Sequence, residues 1–327
     1  MSTLTDRFGR QFPYLRLSLL DACNFHCGYC LPNGYRARDE QTQWLTRPEI
    51  SRLLQSFAKV GLQKLRLTGG EPSLRHDLTD IIADAAKIPE IKTIAMTSNG
   101  VLLEQKINQW HAAGLNAINI SVDSLNREHF HAITGHDRLN TIMAGVEKAI
   151  ALPALSVKLN AVLLRHLNDE QLPLWLEFIR NRNISVRFIE LMQTGENLEF
   201  FKNHHIAANA LQQQLTAMGW QLQTRAFEAG PAMQYNHSDY AGSIGIIAPY
   251  SKDFCVSCNR LRVTATGDLR LCLFGEFGIN LRPLLQADSQ QAELIARIQT
   301  QLGLKASGHE LQLGKTGIIP HLAAIGG

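Results

Sequence analysis

The chain has 327 residues, long enough for two domains or for one barrel with an extension. With 45% hydrophobic and 19% charged residues it carries the apolar material for a packed core, which excludes a disordered or fibrous protein. A net charge of +3 is too small to point to nucleic acid, and no apolar run approaches a membrane span.

Met1 to Gln11 is polar, with Asp6, Arg7 and Arg10 and no apolar h-region, so no signal peptide is expected there. All six cysteines fall into two triplets, Cys23/Cys27/Cys30 and Cys255/Cys258/Cys272. Disulfides would have to cross between triplets over a long cysteine-free stretch. Two metal sites in a reducing, cytoplasmic setting are the simpler expectation.

Tyr14 to Leu20 alternates apolar and polar residues, as a strand does, and the loop Cys23 to Cys30 follows at once. Cys-x3-Cys-x2-Cys in one short loop suits three irons of a 4Fe-4S cubane. With three thiolates the fourth iron keeps an open coordination site, the feature that separates catalytic from structural metal centres. A partial zinc site or buried thiols are the bland alternatives, and they give no reason for three cysteines to share so short a loop.

Thr46 reads as an N-cap with Glu49 three residues on, and Ile50, Leu53, Leu54 and Phe57 form a helical stripe that Gly61 ends. Further strands are predicted at 64–68, 92–97, 117–122, 157–163 and 186–191. Helical periodicity follows each, at about 78–86, 103–113, 139–151, 169–181 and 207–218. Six strand-helix units predict a parallel sheet with right-handed crossovers, an open (βα)6 TIM-like barrel short of the eight units that close. Past about residue 220, from the turn-like Glu228-Ala229-Gly230-Pro231, the alternation stops. Residues 1–225 are therefore expected to form the barrel domain and 226–327 a C-terminal domain.

Function in such barrels collects at the carboxyl ends of the strands. The residues there are the cysteine loop, Gly69-Gly70-Glu71-Pro72, Thr97 to Gly100, Ser121 with Asp123, Asn160, and Glu190 to Met192. Paired glycines let a backbone approach a ligand, although alone they are more often an ordinary turn. The second triplet lies in Phe254-Cys255-Val256-Ser257-Cys258-Asn259-Arg260-Leu261-Arg262, with Cys272 further on. Spacing alone leaves zinc and iron-sulfur open there, with His237 able to complete a zinc set; a second cluster with an open iron beside two arginines is the sharper reading. Arg16, Arg66 and Lys158 on strands, with Arg260 and Arg262, predict an interior that takes a polyanion such as triphosphate.

The cysteine loop with an aromatic before its last cysteine, together with Gly-Gly-Glu-Pro, resembles the radical S-adenosylmethionine (SAM) enzymes. Leu67 to Pro72, Ser121 to Leu125, Arg187 to Met192, the Phe254 to Arg262 segment with Cys272-Leu273-Phe274, and the final Gly326-Gly327 narrow the resemblance. They are similar to the GTP 3',8-cyclase (MoaA) family of molybdenum cofactor biosynthesis, from about Phe12 to Gly327. The resemblance implies a SAM-binding 4Fe-4S cluster on Cys23, Cys27 and Cys30, and a second on Cys255, Cys258 and Cys272 in a C-terminal domain closing the barrel's open side. It implies SAM contacts at Tyr29, Gly70, Ser121 and Met192, and GTP contacts at Arg16, Arg66, Thr97, Lys158, Arg260, Leu261 and Arg262. The implied reaction is abstraction of the GTP ribose C3' hydrogen by a 5'-deoxyadenosyl radical and closure of C3' onto guanine C8, giving (8S)-3',8-cyclo-7,8-dihydroguanosine 5'-triphosphate. A flavodoxin- or ferredoxin-like electron donor, a homodimer, a tail of glycines reaching the site, and a MoaC-type cyclic pyranopterin monophosphate synthase as the next enzyme belong to the same implication. The rival readings are a peptide-modifying radical SAM enzyme, an iron-sulfur electron carrier and a zinc-dependent hydrolase.

Overall fold

The computed structural model describes residues 3–36, 43–224 and 229–326. Six strands and their helices alternate first: β1 (Tyr14–Ser18), α1 (Arg47–Lys59), β2 (Lys64–Thr68), α2 (Leu78–Ala86), β3 (Thr93–Ser98), α3 (Leu103–Ala112), β4 (Ala117–Ser121), α4 (Arg127–Thr134), α5 (Leu139–Ile150), β5 (Ser156–Leu163), α6 (Leu172–Ile179), β6 (Ser185–Glu190), α7 (Leu198–His204) and α8 (Asn209–Ala217). The remainder supplies β7 (Gln221–Leu222), β8 (Met233–Asn236), β9 (Ser243–Ile247), β10 (Arg260–Val263), β11 (Asp268–Arg270), β12 (Ile279–Asn280) and α9 (Gln291–Leu302).

All twelve described strands belong to one sheet, in the order β12-β11-β10-β1-β2-β3-β4-β5-β6-β9-β8-β7. The six expected strands pair in parallel and in sequence order. The C-terminal region extends the same sheet at both edges, β10 running parallel to β1 and β9 parallel to β6. The expected division at 225/226 falls among residues 225–228, outside those described. No described helix is long and apolar enough to cross a membrane.

Strand periodicity decides what faces the barrel interior. In β1 Leu15 and Leu17 are fully buried in the core, and Arg16 between them takes the other face; in β2 Leu65 and Leu67 do the same around Arg66. Each such leucine contributes about 1.5–3 kcal/mol of burial, so a one-residue register slip that reversed these faces would be prohibitive.

Thr46 caps α1, its hydroxyl accepting from the Glu49 N–H while Glu49 reaches back to the Thr46 N–H at 2.7 Å. The additional helices α4 and α7 are not among the predicted segments. Both are short: α4 buries Phe130 and Ile133, and α7 has no buried residue, only Phe200 and Phe201 packed part-exposed against a small cluster that includes Tyr29.

Candidate active site

Two cavities open within the barrel. The first encloses about 1210 Å³, including solvent at its mouth, and is lined by Arg16, Arg66, Thr97, Lys158, Arg260 and Arg262 from the strands, with Cys255, Cys258 and Cys272 at one end. The second, about 950 Å³, is lined by Cys23, Cys27, Cys30, Tyr29, Gly70 and Ser121. Thr97, Asn160, Ile189 and Met192 line both, so they form a common wall.

The loops that follow β1, β2 and β3 are bound into one unit around the first triplet. Gly70 donates to the Leu20 carbonyl and Glu71 to the Ala22 carbonyl, both at 2.8 Å. A Cβ on Gly69 would lie 2.3 Å from the Leu20 oxygen, and one on Gly70 2.2 Å from the Ala22 oxygen, so this close backbone approach requires glycine at both positions. The buried Glu71 carboxylate accepts from Ser98 Oγ at 2.8 Å, the Asn99 N–H at 2.7 Å and the Ser73 N–H at 3.0 Å. Asn99 Nδ2 then donates to Asn24 Oδ1 inside the cysteine loop at 2.7 Å.

Burial pushes the Cys30 thiol up to about 12 and the Cys23 thiol up to about 11, so thiolates there need positive partners of the kind irons supply. Among the described residues no three His, Cys, Asp or Glu side chains converge as the ligands of a single ion do. A cubane gives each thiolate a different iron and so asks for grouped, unconverged cysteines. The first triplet, grouped with Gly69 and Gly70 on the lining of the second cavity, fits such a group. At the second triplet the Arg260 and Lys305 charges outweigh burial and hold the Cys258 thiol at about 7. Arg10 fastens this end by donating to the carbonyls of Cys255 at 3.0 Å and of Ala306 and Ser307 at 2.6 Å. His237 does not join these cysteines; it packs against Trp220 and Tyr240.

The cationic layer is built by register. Arg262, Arg16 and Arg66 stand opposite one another on β10, β1 and β2. Like charges in register repel. Burial lowers Arg16 to about 10, with Arg66 and Arg260 adding repulsion, while burial and Arg187 lower Lys158 to about 8. Arg66 is fixed by Tyr14 Oη at 2.6 Å, the Met96 carbonyl at 2.9 Å and Thr97 Oγ1 at 3.0 Å. Leu261 is the exception among the expected substrate contacts: its side chain lies in the apolar core on the opposite face of β10 from Arg260 and Arg262.

The cavities also include residues that the sequence reading passed over. Tyr14, Lys64 and Arg187 line the first cavity. Tyr14 shares its strand phase with Arg16, Lys64 with Arg66, and Arg187 with Ile189, so extending the alternation one step would have found them. Asp123 bridges Tyr29 Oη at 2.9 Å and the Val162 N–H at 2.9 Å. Asn197 ties the cysteine loop to β6, donating to the Tyr29 and Met192 carbonyls at 3.0 Å each. Leu322 and Ala323 line the second cavity, and the Gly326 carbonyl accepts from Arg16 and Arg262, so the C-terminal segment runs past both cavities.

Residues 17–179 match the Radical SAM superfamily model, and residues 184–311 match the Molybdenum Cofactor Synthesis C model. A Stenotrophomonas maltophilia (strain K279a) protein named GTP 3',8-cyclase is 60% identical over 327 residues, covering the whole of both chains. A Yersinia pestis protein of the same name is 54% identical, again over the whole of both. Among solved structures, Streptococcus suis SuiB bound to S-adenosylmethionine aligns with a TM-score of 0.64 at 13% identity, covering 94% of this chain and 76% of that one. Native anSMEcpe with bound AdoMet aligns with a TM-score of 0.54 at 12% identity, covering 88% and 84%. At such identities these two share the fold.

Proposed function

The chain belongs to the GTP 3',8-cyclase family, built on a radical SAM domain, and on that premise we propose that it joins C3' of the GTP ribose to C8 of guanine across the common wall of its two cavities. The observation that carries this reading is that wall: Thr97, Asn160, Ile189 and Met192 face both the cysteine cavity and the cationic cavity. A radical generated in one cavity must meet a ribose held in the other, and only adjoining sites allow it.

The Radical SAM domain implies a 4Fe-4S cluster and SAM. The chemistry these supply when bound is hydrogen-atom abstraction by a carbon radical. The chain's own residues do the placing. Cys23, Cys27 and Cys30 would hold the cluster, with Tyr29, Gly70, Ser121 and Met192 around SAM. Arg16, Arg66, Lys158 and Arg262 would bind the triphosphate, their forked or pointed charges matching its oxygens. Thr97 orients Arg66 through its hydroxyl. Ile189 and Met192 present apolar surface at the junction, which excludes water from a reactive carbon centre.

Cys255, Cys258 and Cys272 would hold a second cluster whose open iron takes the guanine. Support comes from their position at the end of the cationic cavity, beside Arg260. Residues 226–327 would then be the part of the chain devoted to that cluster. A flavodoxin- or ferredoxin-like donor, a homodimer and delivery of product to a MoaC-type synthase complete the reading. The peptide-modifying alternative is not favoured, since the full-length relatives at 54–60% identity are named GTP 3',8-cyclase.

The second cluster is tested by counting iron and sulfide after anaerobic reconstitution. About eight irons per chain, falling to about four in Cys255→Ala, support it; about four in the unaltered protein return the second triplet to another role.

A further inference from the structure

Among the described residues that line the cationic cavity there is no carboxylate. Tyr14 is met there by Arg16 from its own strand, by Lys64 and Arg66 from β2, by Lys158 from β5, by Arg187 from β6 and by Arg260 and Arg262 from β10. Among the described lining residues none is Asp or Glu, and apart from the cysteine triplet the Tyr14 phenol is the one acidic side chain. It is fully inside, 4% exposed, with its oxygen 2.6 Å from Arg66 Nε and the Lys64 ammonium 5.0 Å from its ring centre. Cations of one sign grouped this closely, Arg66 and Arg262 buried and the rest half-buried, are costly without a counter-charge in reach.

We infer that Tyr14 is the resident counter-charge of this layer: its oxygen, ionised while no anion is bound, holds Arg66 in place and takes up one proton from solvent when a triphosphate enters. The step moves a proton alone; the phenolate oxygen gains it, and the triphosphate replaces the negative charge that disappears. Burial by itself would raise the phenol, but Arg66, Arg16 and Lys64 outweigh it and hold Tyr14 at about 7. A bound polyanion neutralises those same cations and returns the phenol toward its ordinary range. Proton uptake on binding is therefore expected above about pH 7 and absent well below it.

This rests on the reading that the cavity takes a triphosphate, and the test separates the two. Reconstituted protein labelled at tyrosine Cζ is titrated by 13C NMR, and the Tyr14 resonance is identified by its loss in Tyr14→Phe. The resonance is expected at the ionised position at about pH 8, moving to the protonated position when GTP or inorganic triphosphate is added. A resonance that stays protonated in the free protein, or stays ionised with either anion bound, overturns the inference and leaves the function standing. Movement with inorganic triphosphate but no binding of GTP overturns the function and leaves Tyr14 its role. If Tyr14→Phe does not fold, assignment by elimination still decides: Tyr35→Phe and Tyr240→Phe identify those two resonances, and burial raises Tyr29, Tyr235 and Tyr250, so a further resonance that titrates early and reverses with triphosphate belongs to Tyr14.

Discussion

Arg16 and Arg262 stand opposite one another on adjacent parallel strands and donate to a single acceptor, the Gly326 carbonyl, at 2.8 and 3.0 Å. That backbone oxygen is neutral and shared between two guanidinium groups, and charge-assisted bonds to phosphate would be stronger. Arg262→Ala is expected to weaken GTP binding by about ten- to hundredfold, the equivalent of about 1.5–3 kcal/mol for a hydrogen bond to a charged group, with SAM affinity unchanged. Equilibrium binding of each ligand checks it, and unaltered GTP affinity would remove Arg262 from the substrate site.

Gly326 has φ +66, and a Cβ there would lie 2.1 Å from Thr68 Oγ1. Thr68 is buried at the end of β2 and has little room to give. Gly326→Ala should therefore unseat the tail, lowering turnover by at least about tenfold while the melting temperature moves by no more than a few degrees. Normal turnover would show that the tail's contact with Arg16 and Arg262 is incidental.

Gly70→Ala drives a methyl into the Ala22 and Asp21 carbonyls, which lie 2.2 and 2.6 Å from the ideal Cβ. Those residues lead directly into Cys23, so the cost is paid in the cysteine loop. Iron analysis should show loss at the first triplet with the second retained, and SAM binding should fail with it.

Asn197 is 2% exposed and holds the carbonyls of both Tyr29 and Met192. Asn197→Ala leaves two buried acceptors unmatched, a penalty of about 1–3 kcal/mol, and frees the cysteine loop from the β6 loop. The expected signature is a KM for SAM raised about tenfold with GTP affinity untouched. Equal weakening of both would mean general loosening instead.

Glu49 joins α1 to the C-terminal region, accepting from Arg282 Nε at 2.8 Å and from Gln286 Nε2 at 2.8 Å. Burial would raise its carboxyl, but Arg282, Thr46 and Gln286 outweigh that and hold it at about 2, against an ordinary 4.5. A depressed carboxylate stabilises above its unfolded value and loses that contribution as pH falls toward about 2. Glu49→Gln should cost about 3 kcal/mol at neutral pH, with the difference shrinking below about pH 4.5. Denaturant melts at the two pH values measure it.

The strands and the two cysteine triplets were legible because their signals are local: alternation in Lys64–Thr68, and spacing in Cys23 to Cys30. The inward arginines were legible for the same reason, since Arg16 and Arg66 interrupt runs of leucine. What escaped depends on distant pairing. Nothing in the sequence places Arg262 opposite Arg16, because β10 joins β1 only after the whole barrel is built. Arg10 reaching the Cys255 carbonyl and Asn197 joining two loops are likewise products of chain return. Leu261 differs in placement: a contiguous motif names it with its neighbours, and strand alternation turns its side chain away from theirs into the core.

The most direct test is anaerobic turnover with GTP deuterated at C3'. With SAM and dithionite present, the account predicts 5'-deoxyadenosine formation that depends on GTP and carries deuterium from that position. SAM cleavage indifferent to GTP, or 5'-deoxyadenosine free of deuterium, would contradict it.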